Sequence, residues 1–249
     1  MYNSKIVANA PVACATVVVC FFATAAGASF TATLDAYGSG EFAACGYNSQ
    51  LSWNSTDSVA LWNIKAFQHD FSRSAGEDIL SWCAEVYQSV NVGSSYLFDE
   101  VAVEQVPTGG NPGPLGSLKA VVIRDLFARW IDPATGLVIG SVTDRDAKSA
   151  AFQLAIWEIS HENFAATDAA SMVNEMSLGL GAFRSTPSGA ASGWYDAIRN
   201  SLGVGGFQSA VVLGLSSPSA QDQLVLVPIP APGALALLAL VGVSSRRRR

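Results

Sequence analysis

Residues 150–159 read Ala150-Ala151-Phe152-Gln153-Leu154-Ala155-Ile156-Trp157-Glu158-Ile159, and they predict a helix at the centre of the fold. Eight of these ten residues are apolar, and at helical spacing they cover every face of the helix. A helix that is apolar all round is buried by other elements. Gln153 then lies in or beside the core, where an unpaired amide costs about 1–3 kcal/mol. Its side chain therefore needs either a hydrogen-bond partner or a reaction that consumes it.

This helix is predicted to extend over 143–162 and to be one of four. Thr143 can cap its start, and Asp144 and Asp146 lie in the first turn, where the helix dipole favours negative charge. Of the other three predicted helices, 117–131 has apolar residues at helical intervals, and 168–176 and 189–202 are shorter candidates.

The remaining segments have the composition of strands. In 80–90, for example, Leu80, Trp82, Ala84 and Val86 fall on one face with period two. Clusters of Gly, Asn and Pro separate the predicted strands, which are 30–34, 58–67, 80–90, 95–106, 208–215 and 223–227. The sequence therefore predicts an α+β fold, a β-rich, barrel-like sheet with inserted helices.

The composition favours a folded domain that does not bind nucleic acid. Half of the 249 residues are hydrophobic and 14% are charged. All 20 acidic residues lie in 29–227, whereas five of the 14 basic residues lie outside it, so this region is strongly acidic and repels phosphate. His69 and His161 lack metal-ligand spacing, and familiar catalytic motifs are missing. We therefore expect no metal, no cofactor and no enzyme activity beyond a single turnover.

The first 28 residues have the pattern of a signal peptide. Lys5 precedes an apolar run that ends with Ala26-Gly27-Ala28, a small-x-small cleavage site, so we expect a cut by signal peptidase before Ser29. The alternative interpretation of the same run is a membrane anchor. Either interpretation predicts an exported protein.

The last 22 residues form a three-part tail. Pro228, Pro230 and Pro232 precede an apolar run over 233–243, which is short for a stable membrane span. The chain then ends with basic residues that would stay on the cytoplasmic side, namely Arg246, Arg247, Arg248 and Arg249. With the preceding Val227, this order resembles the PEP-CTERM sorting signal, which an exosortase processes in bacteria with a Gram-negative envelope. The resemblance implies transient anchoring in the inner membrane and delivery to the cell surface or extracellular matrix.

These boundaries predict three regions: a signal peptide (1–28), one globular domain (29–227) and a sorting tail (228–249). Cys14 and Cys20 would leave with the signal peptide, and the domain keeps Cys45 and Cys83. In an oxidising envelope two cysteines commonly form a disulfide. A Cys45–Cys83 disulfide in a structural extracellular protein is therefore one of the alternatives.

A second alternative uses Cys83 for chemistry. Its strand face carries Ser81, Glu85 and Tyr87, so the sulfur is expected to point towards a mixed surface where a thiolate is attainable. If the buried helix packs on this strand, Cys83 meets Gln153. Attack of the thiol on the carboxamide would expel ammonia and leave an internal thioester, which a later nucleophile could open.

The two segments that carry these residues resemble the Cys and Gln motifs of bacterial surface thioester domains. The matching stretches are Trp82-Cys83-Ala84-Glu85 and Phe152-Gln153-Leu154-Ala155-Ile156-Trp157-Glu158-Ile159, and Ala220-Gln221-Asp222-Gln223-Leu224 resembles the closing segment. The resemblance implies a Cys83–Gln153 thioester with Trp82, Glu85 and Trp157 as supporting residues. It also implies an adhesion or attachment protein that binds a surface amine or hydroxyl covalently. A third possibility is a secreted hydrolase without identifiable catalytic carboxylates.

Overall fold

The computed structural model describes residues 29–227, in which seven strands form one antiparallel sheet. The predicted signal peptide and sorting tail lie outside the described residues. The order of strands across the sheet is β2-β3-β7-β6-β4-β1-β5. The strands are β1 (Ser29–Tyr47), β2 (Trp62–Arg73), β3 (Ile79–Cys83), β4 (Ser95–Ala102), β5 (Phe183–Thr186), β6 (Val212–Ser216) and β7 (Gln223–Leu226).

The sheet closes on itself because β1 pairs with β4 and also with β2, the strand at the far end of this order. Residues 29–33 of β1 pair with β4, and residues 32–45 pair with β2. Two register shifts, between Leu34 and Ala36 and between Tyr37 and Gly40, bend β1 between these neighbours. A side chain at Gly40 would collide with the backbone of β2, since a Cβ there would lie 2.3 Å from the carbonyl oxygen of Ala66.

The helices pack against the outer side of this closed sheet. They are α1 (Gly116–Trp130), α2 (Arg145–His161), α3 (Ala169–Glu175) and α4 (Gly189–Ser201), with short 3₁₀ turns at Val103–Gln105 and Val142–Asp144. Every residue of α2 from Ala147 to His161 is buried. The prediction of a helix covered on all sides is thus confirmed, because α2 is enclosed by the sheet, by α1 and by α4.

Two apolar cores result from this arrangement. The larger core lies between the sheet and the helices and includes Trp82 and Phe152. The smaller core faces the interior of the closed sheet and draws Phe71 from β2, Phe98 from β4 and Val225 from β7. In β7, for example, Leu224 belongs to the larger core and its neighbour Val225 to the smaller one.

The α+β class with a large antiparallel sheet and several helices is confirmed, and some element boundaries differ from the prediction. β1 continues to Tyr47, because its glycines form bulges instead of a turn. β3 ends at Cys83, well before the predicted end at Val90, and β5 was not predicted. Among residues 29–227, no helix has both the length and the apolar character needed to cross a membrane.

Candidate functional site

Cys83 is the last residue of β3, at a place where the sheet opens. On one side, Trp82 pairs with Leu224 of β7, and the N–H of Ala84 donates to the carbonyl oxygen of Asp222 (2.9 Å). Because successive residues of a strand point their backbone groups to opposite sides, the N–H and C=O of Cys83 face β2. The pairing of β2 with β3 ends at Ser81, two residues before Cys83. No residue of β2 therefore pairs with the backbone of Cys83.

The side chain of Gln153 fills this gap. The N–H of Cys83 donates to Gln153 Oε1 (2.9 Å), and Gln153 Nε2 donates to the carbonyl oxygen of Cys83 (2.8 Å). Gln153 is fully buried on α2 and Cys83 is 2% exposed. The structure thus brings the two predicted thioester residues together, with the carboxamide of Gln153 held against the backbone that carries the thiol.

The sulfur of Cys83 lies in a buried polar pocket. Cys83 Sγ is 3.1 Å from Gln221 Oε1, 3.6 Å from both ring nitrogens of His69 and 3.8 Å from Gln223 Nε2. All three side chains are at most 7% exposed. The expectation of a mixed surface around the thiol was wrong in one respect: the face is polar, but the closing strand β7 and β2 cover it.

This environment favours an uncharged sulfur. Burial raises the pKa of the Cys83 thiol well above its usual range, because the pocket replaces water without supplying a positive charge. Gln221 directs an amide oxygen at the sulfur, since its Nε2 donates to the carbonyl oxygen of Glu85 (2.8 Å). Such an oxygen accepts a hydrogen bond from a thiol and repels a thiolate. Either the neutral thiol or a thioester sulfur fits here.

Glu85 supports the site through the closing segment, Ala220 to Leu224. Its Oε1 accepts a hydrogen bond from the N–H of Asp222 (3.1 Å), next to the Gln221 that contacts the sulfur. Burial, together with the nearby carboxylate of Asp222, raises the pKa of Glu85 to about 7. Glu85 therefore holds the segment that covers the sulfur and does not itself contact the sulfur or Gln153.

The two tryptophans shape the core around the site. Trp82 packs on Phe152, the neighbour of Gln153, with ring centroids 4.6 Å apart. Trp157 lies one helical turn beyond Gln153 and packs on Phe183 of β5, with ring centroids 6.5 Å apart. Both are buried, and neither makes a polar contact with the sulfur or the carboxamide.

Cys45 lies in a separate environment. Both cysteines are free, and Cys45 Sγ is 3.3 Å from Ser185 Oγ. Cys45 pairs with Trp62 of β2, whereas Cys83 contacts His69, seven residues farther along the same strand. Seven strand residues span about 23 Å, and a disulfide requires Cα atoms within about 7 Å. The Cys45–Cys83 disulfide allowed by the sequence is therefore incompatible with this strand register.

Three residues of the site were not predicted as functional: His69, Gln221 and Gln223. From the sequence, His69 was considered only as a metal ligand and rejected as one, and the two glutamines were noted only as part of a closing segment. Within the described part of the chain, no group of three or more His, Cys, Asp or Glu residues could hold a metal ion. Comparison with known protein families, with curated proteins and with solved structures finds no match.

Proposed function

We propose that this protein is an exported attachment module that forms an internal thioester between Cys83 and Gln153 and uses it to capture a surface nucleophile. The observation that carries the proposal is the pair of hydrogen bonds between the Gln153 carboxamide and the backbone of Cys83. They orient the amide and hold its carbon beside the residue that bears the thiol. Such positioning is the main requirement for an intramolecular acyl transfer.

In the first step, the thiol of Cys83 attacks the carboxamide carbon of Gln153. One S–C bond forms, the C–N bond breaks, and the thiol proton leaves with the NH₂ group as ammonia. Negative charge develops on Gln153 Oε1 during the attack, and the N–H of Cys83 already donates to that oxygen. The thioester lacks the NH₂ donor, so the carbonyl oxygen of Cys83 gives up the second hydrogen bond.

In the second step, an amine or hydroxyl of a partner attacks the same carbon. The acyl–sulfur bond breaks, the nucleophile becomes joined to Gln153, and its proton restores the thiol of Cys83. The product is an amide or ester and the chain cannot return to its starting state, so the protein acts once. Burial of Cys83 and Gln153 keeps water from hydrolysing the thioester, so the partner nucleophile reaches the carbon only when the segment that covers the sulfur moves aside.

The two ends of the chain support delivery to the cell envelope. The run that ends with Ala26-Gly27-Ala28 suits cleavage by signal peptidase, and the tail from Pro228 to Arg249 suits an exosortase-type enzyme. In this proposal the globular part is released to the outer surface or the extracellular matrix after transient anchoring in the inner membrane.

A purely structural envelope protein is the second candidate. It is favoured by the hydrogen bonds of Gln153, whose oxygen and nitrogen each already pair with a backbone group of Cys83. A core amide that is satisfied in this way does not need to react. This candidate has no covalent chemistry, and its two thiols remain free.

Peptide mass spectrometry of the purified protein separates the two candidates. The protein is digested under acidic, non-reducing conditions, and the internal peptides are measured. Because only internal peptides are compared, processing at the termini does not affect the result. A cross-linked pair of peptides containing Cys83 and Gln153, one ammonia lighter than their sum, is the expected product. The Cys83→Ala and Gln153→Glu variants should lack it, and Cys45→Ala should retain it. Unmodified Cys83 and Gln153 peptides in the parent protein would overturn the proposal, as would a Cys45–Cys83 disulfide.

A further inference from the structure

We propose that His69 is the catalytic base and acid of the thioester step: it takes the proton from Cys83 Sγ and returns it to the departing nitrogen of Gln153. This inference rests on the proposed function, and it adds a residue that the Cys and Gln motifs do not contain. It follows from the geometry of three buried side chains on β2, β3 and β7.

The orientation of Gln223 fixes which atom faces His69. Gln223 Nε2 donates to the backbone carbonyl oxygen of Gln221 (3.1 Å), and a carbonyl oxygen can only accept. Gln223 Oε1 is therefore the atom that lies 3.1 Å from His69 Nδ1 and 3.0 Å from Ser81 Oγ. Since an amide oxygen only accepts, His69 carries its proton on Nδ1.

The other ring nitrogen is then an acceptor. His69 Nε2 lies 3.6 Å from Cys83 Sγ, and among the described residues it has no other hydrogen-bond partner. Burial lowers the pKa of His69 to about 4, so the ring is neutral at physiological pH and its lone pair is available. The Tyr37 ring, 5.5 Å from the imidazole, and Phe71, 6.0 Å away, enclose it further.

Proton transfer to His69 allows the sulfur to attack even though burial raises the pKa of Cys83. A standing thiolate is disfavoured in this pocket, so the proton must leave the sulfur as the sulfur attacks. It moves from Sγ to Nε2 while the S–C bond forms. The imidazolium then gives the same proton to the nitrogen of Gln153, and the C–N bond breaks to release ammonia. The ring ends neutral, and no other reactant is needed.

The test follows thioester formation over time in full-length chains made by cell-free synthesis. The fraction of chains that have lost ammonia is measured by mass spectrometry at successive times. His69→Asn can keep the donor that bonds Gln223 Oε1 and removes the Nε2 acceptor, so we expect formation to slow by about 10²-fold or more. His161→Asn is the matched control, because His161 is also fully buried and its nearest hydrogen-bonding groups are Trp157, Ser160 and Val86.

The outcomes separate this inference from the proposed function. If the parent chain never loses ammonia, the thioester itself fails and His69 has no such role. If the parent and His69→Asn lose ammonia at the same rate, the thioester stands and the role of His69 is wrong. Folding of each variant is checked by its thermal transition.

A measurement without a variant at His69 covers the case in which His69→Asn does not fold. Imidazole ¹⁵N chemical shifts of the Cys83→Ala protein report which ring nitrogen carries the proton. We expect Nδ1–H at His69, and a proton on Nε2 would overturn the proposal. Replacing Gln223 with Met, which removes the acceptor, should shift the population towards Nε2–H.

Discussion

Gln153 lies beside Cys83, where the next residue of β2 would lie if the pairing of β2 with β3 continued. Its carboxamide supplies one acceptor and one donor, as a neighbouring strand does, and satisfies both backbone groups of Cys83. The closed sheet therefore has a side chain built into its hydrogen-bond network at the point where β2 and β3 diverge. The stability of the fold and the proposed chemistry depend on the same two contacts.

Removal of this carboxamide should destabilise the fold strongly. Gln153→Ala leaves the buried N–H and C=O of Cys83 without partners, so we expect a loss of about 3 kcal/mol in the free energy of unfolding. The measurement is urea denaturation in a Cys83→Ala background, where no covalent bond contributes. Gln68→Ala is the matched control: Gln68 is 1% exposed and its Nε2 makes one bond, to the carbonyl oxygen of Gly136. Its loss should be about 1 kcal/mol, and equal losses would contradict this account.

Both cysteines should resist alkylation in the native protein. Burial raises the pKa of Cys45 to about 11, so very little of it is thiolate at pH 8, and the thiol of Cys83 is shielded further. We expect iodoacetamide at pH 8 to label neither residue within the time in which a free peptide thiol reacts completely. After denaturation Cys45 should be labelled fully. Rapid native labelling of Cys45 would show that β1 and β5 open locally.

The folded protein should become less stable as the pH rises and the buried Glu85 loses its proton. Its pKa is about 7 in the folded protein and 4.5 in the unfolded chain, so the folded state binds the proton more tightly between these values. The stabilisation from protonated Glu85 is complete below pH 4.5 and is lost as the pH rises through 7, by about 3 kcal/mol in total.

Comparison of the parent protein with Glu85→Gln isolates this contribution. The buried histidines act in the opposite direction, since burial lowers the pKa of His69 to about 4 and that of His161 to about 3. They affect both proteins equally, so the difference in unfolding free energy between the two should fall from pH 4.5 to 7. A difference that does not change with pH would show that Glu85 is ionised throughout.

Asp125 should be a major stabilising residue of the helical layer. Its fully buried carboxylate accepts hydrogen bonds from the N–H groups of Gly203 (2.8 Å) and Gln208 (2.6 Å) and from Arg129 Nε (2.9 Å). It thereby ties α1 to the chain that follows α4. Asp125→Ala leaves these donors unpaired, and we expect a loss of about 3–5 kcal/mol in unfolding free energy.

A partly exposed ion pair between α1 and the 3₁₀ turn Val103–Gln105 provides the control for Asp125. Arg124 and Glu104 are 2.7 Å apart but 28% and 32% exposed, so Glu104→Ala should cost less than about 1 kcal/mol. Thermal or urea denaturation of the two variants measures the difference. Similar losses in both would mean that burial of Asp125 contributes little.

The sequence predicted the central helix well because its signal is local. Eight apolar residues in ten left no solvent face, and α2 is buried as predicted, with Gln153 in the core. The helix predicted over 189–202 is α4 (Gly189–Ser201), and in the structure Ser188 caps it. These features depend on spacing and capping within one segment.

The missed features depend on contacts between distant segments. Gly38 and Gly40 read as a turn, yet they belong to β1, where a register shift lies between Tyr37 and Gly40 and the close approach of Ala66 leaves no room for a side chain at Gly40. His69 lies 14 residues from Cys83, and Gln223 lies 140 residues away. The predicted strand ended at residue 67, whereas β2 continues to Arg73, and its pairing with β3 brings His69 against the sulfur.

The pairing of strand β7 has a mechanical consequence for the proposed attachment function. A pull on the chain beyond Val227 runs along β7, which is bonded to β3 on one side and to β6 on the other. Hydrogen bonds perpendicular to the pull are loaded in shear, so both ladders resist together. The far end of β7 is Gln223, which pairs with Cys83 and bonds the ring of His69. A pull on this strand would therefore load the pocket that holds Cys83 and His69.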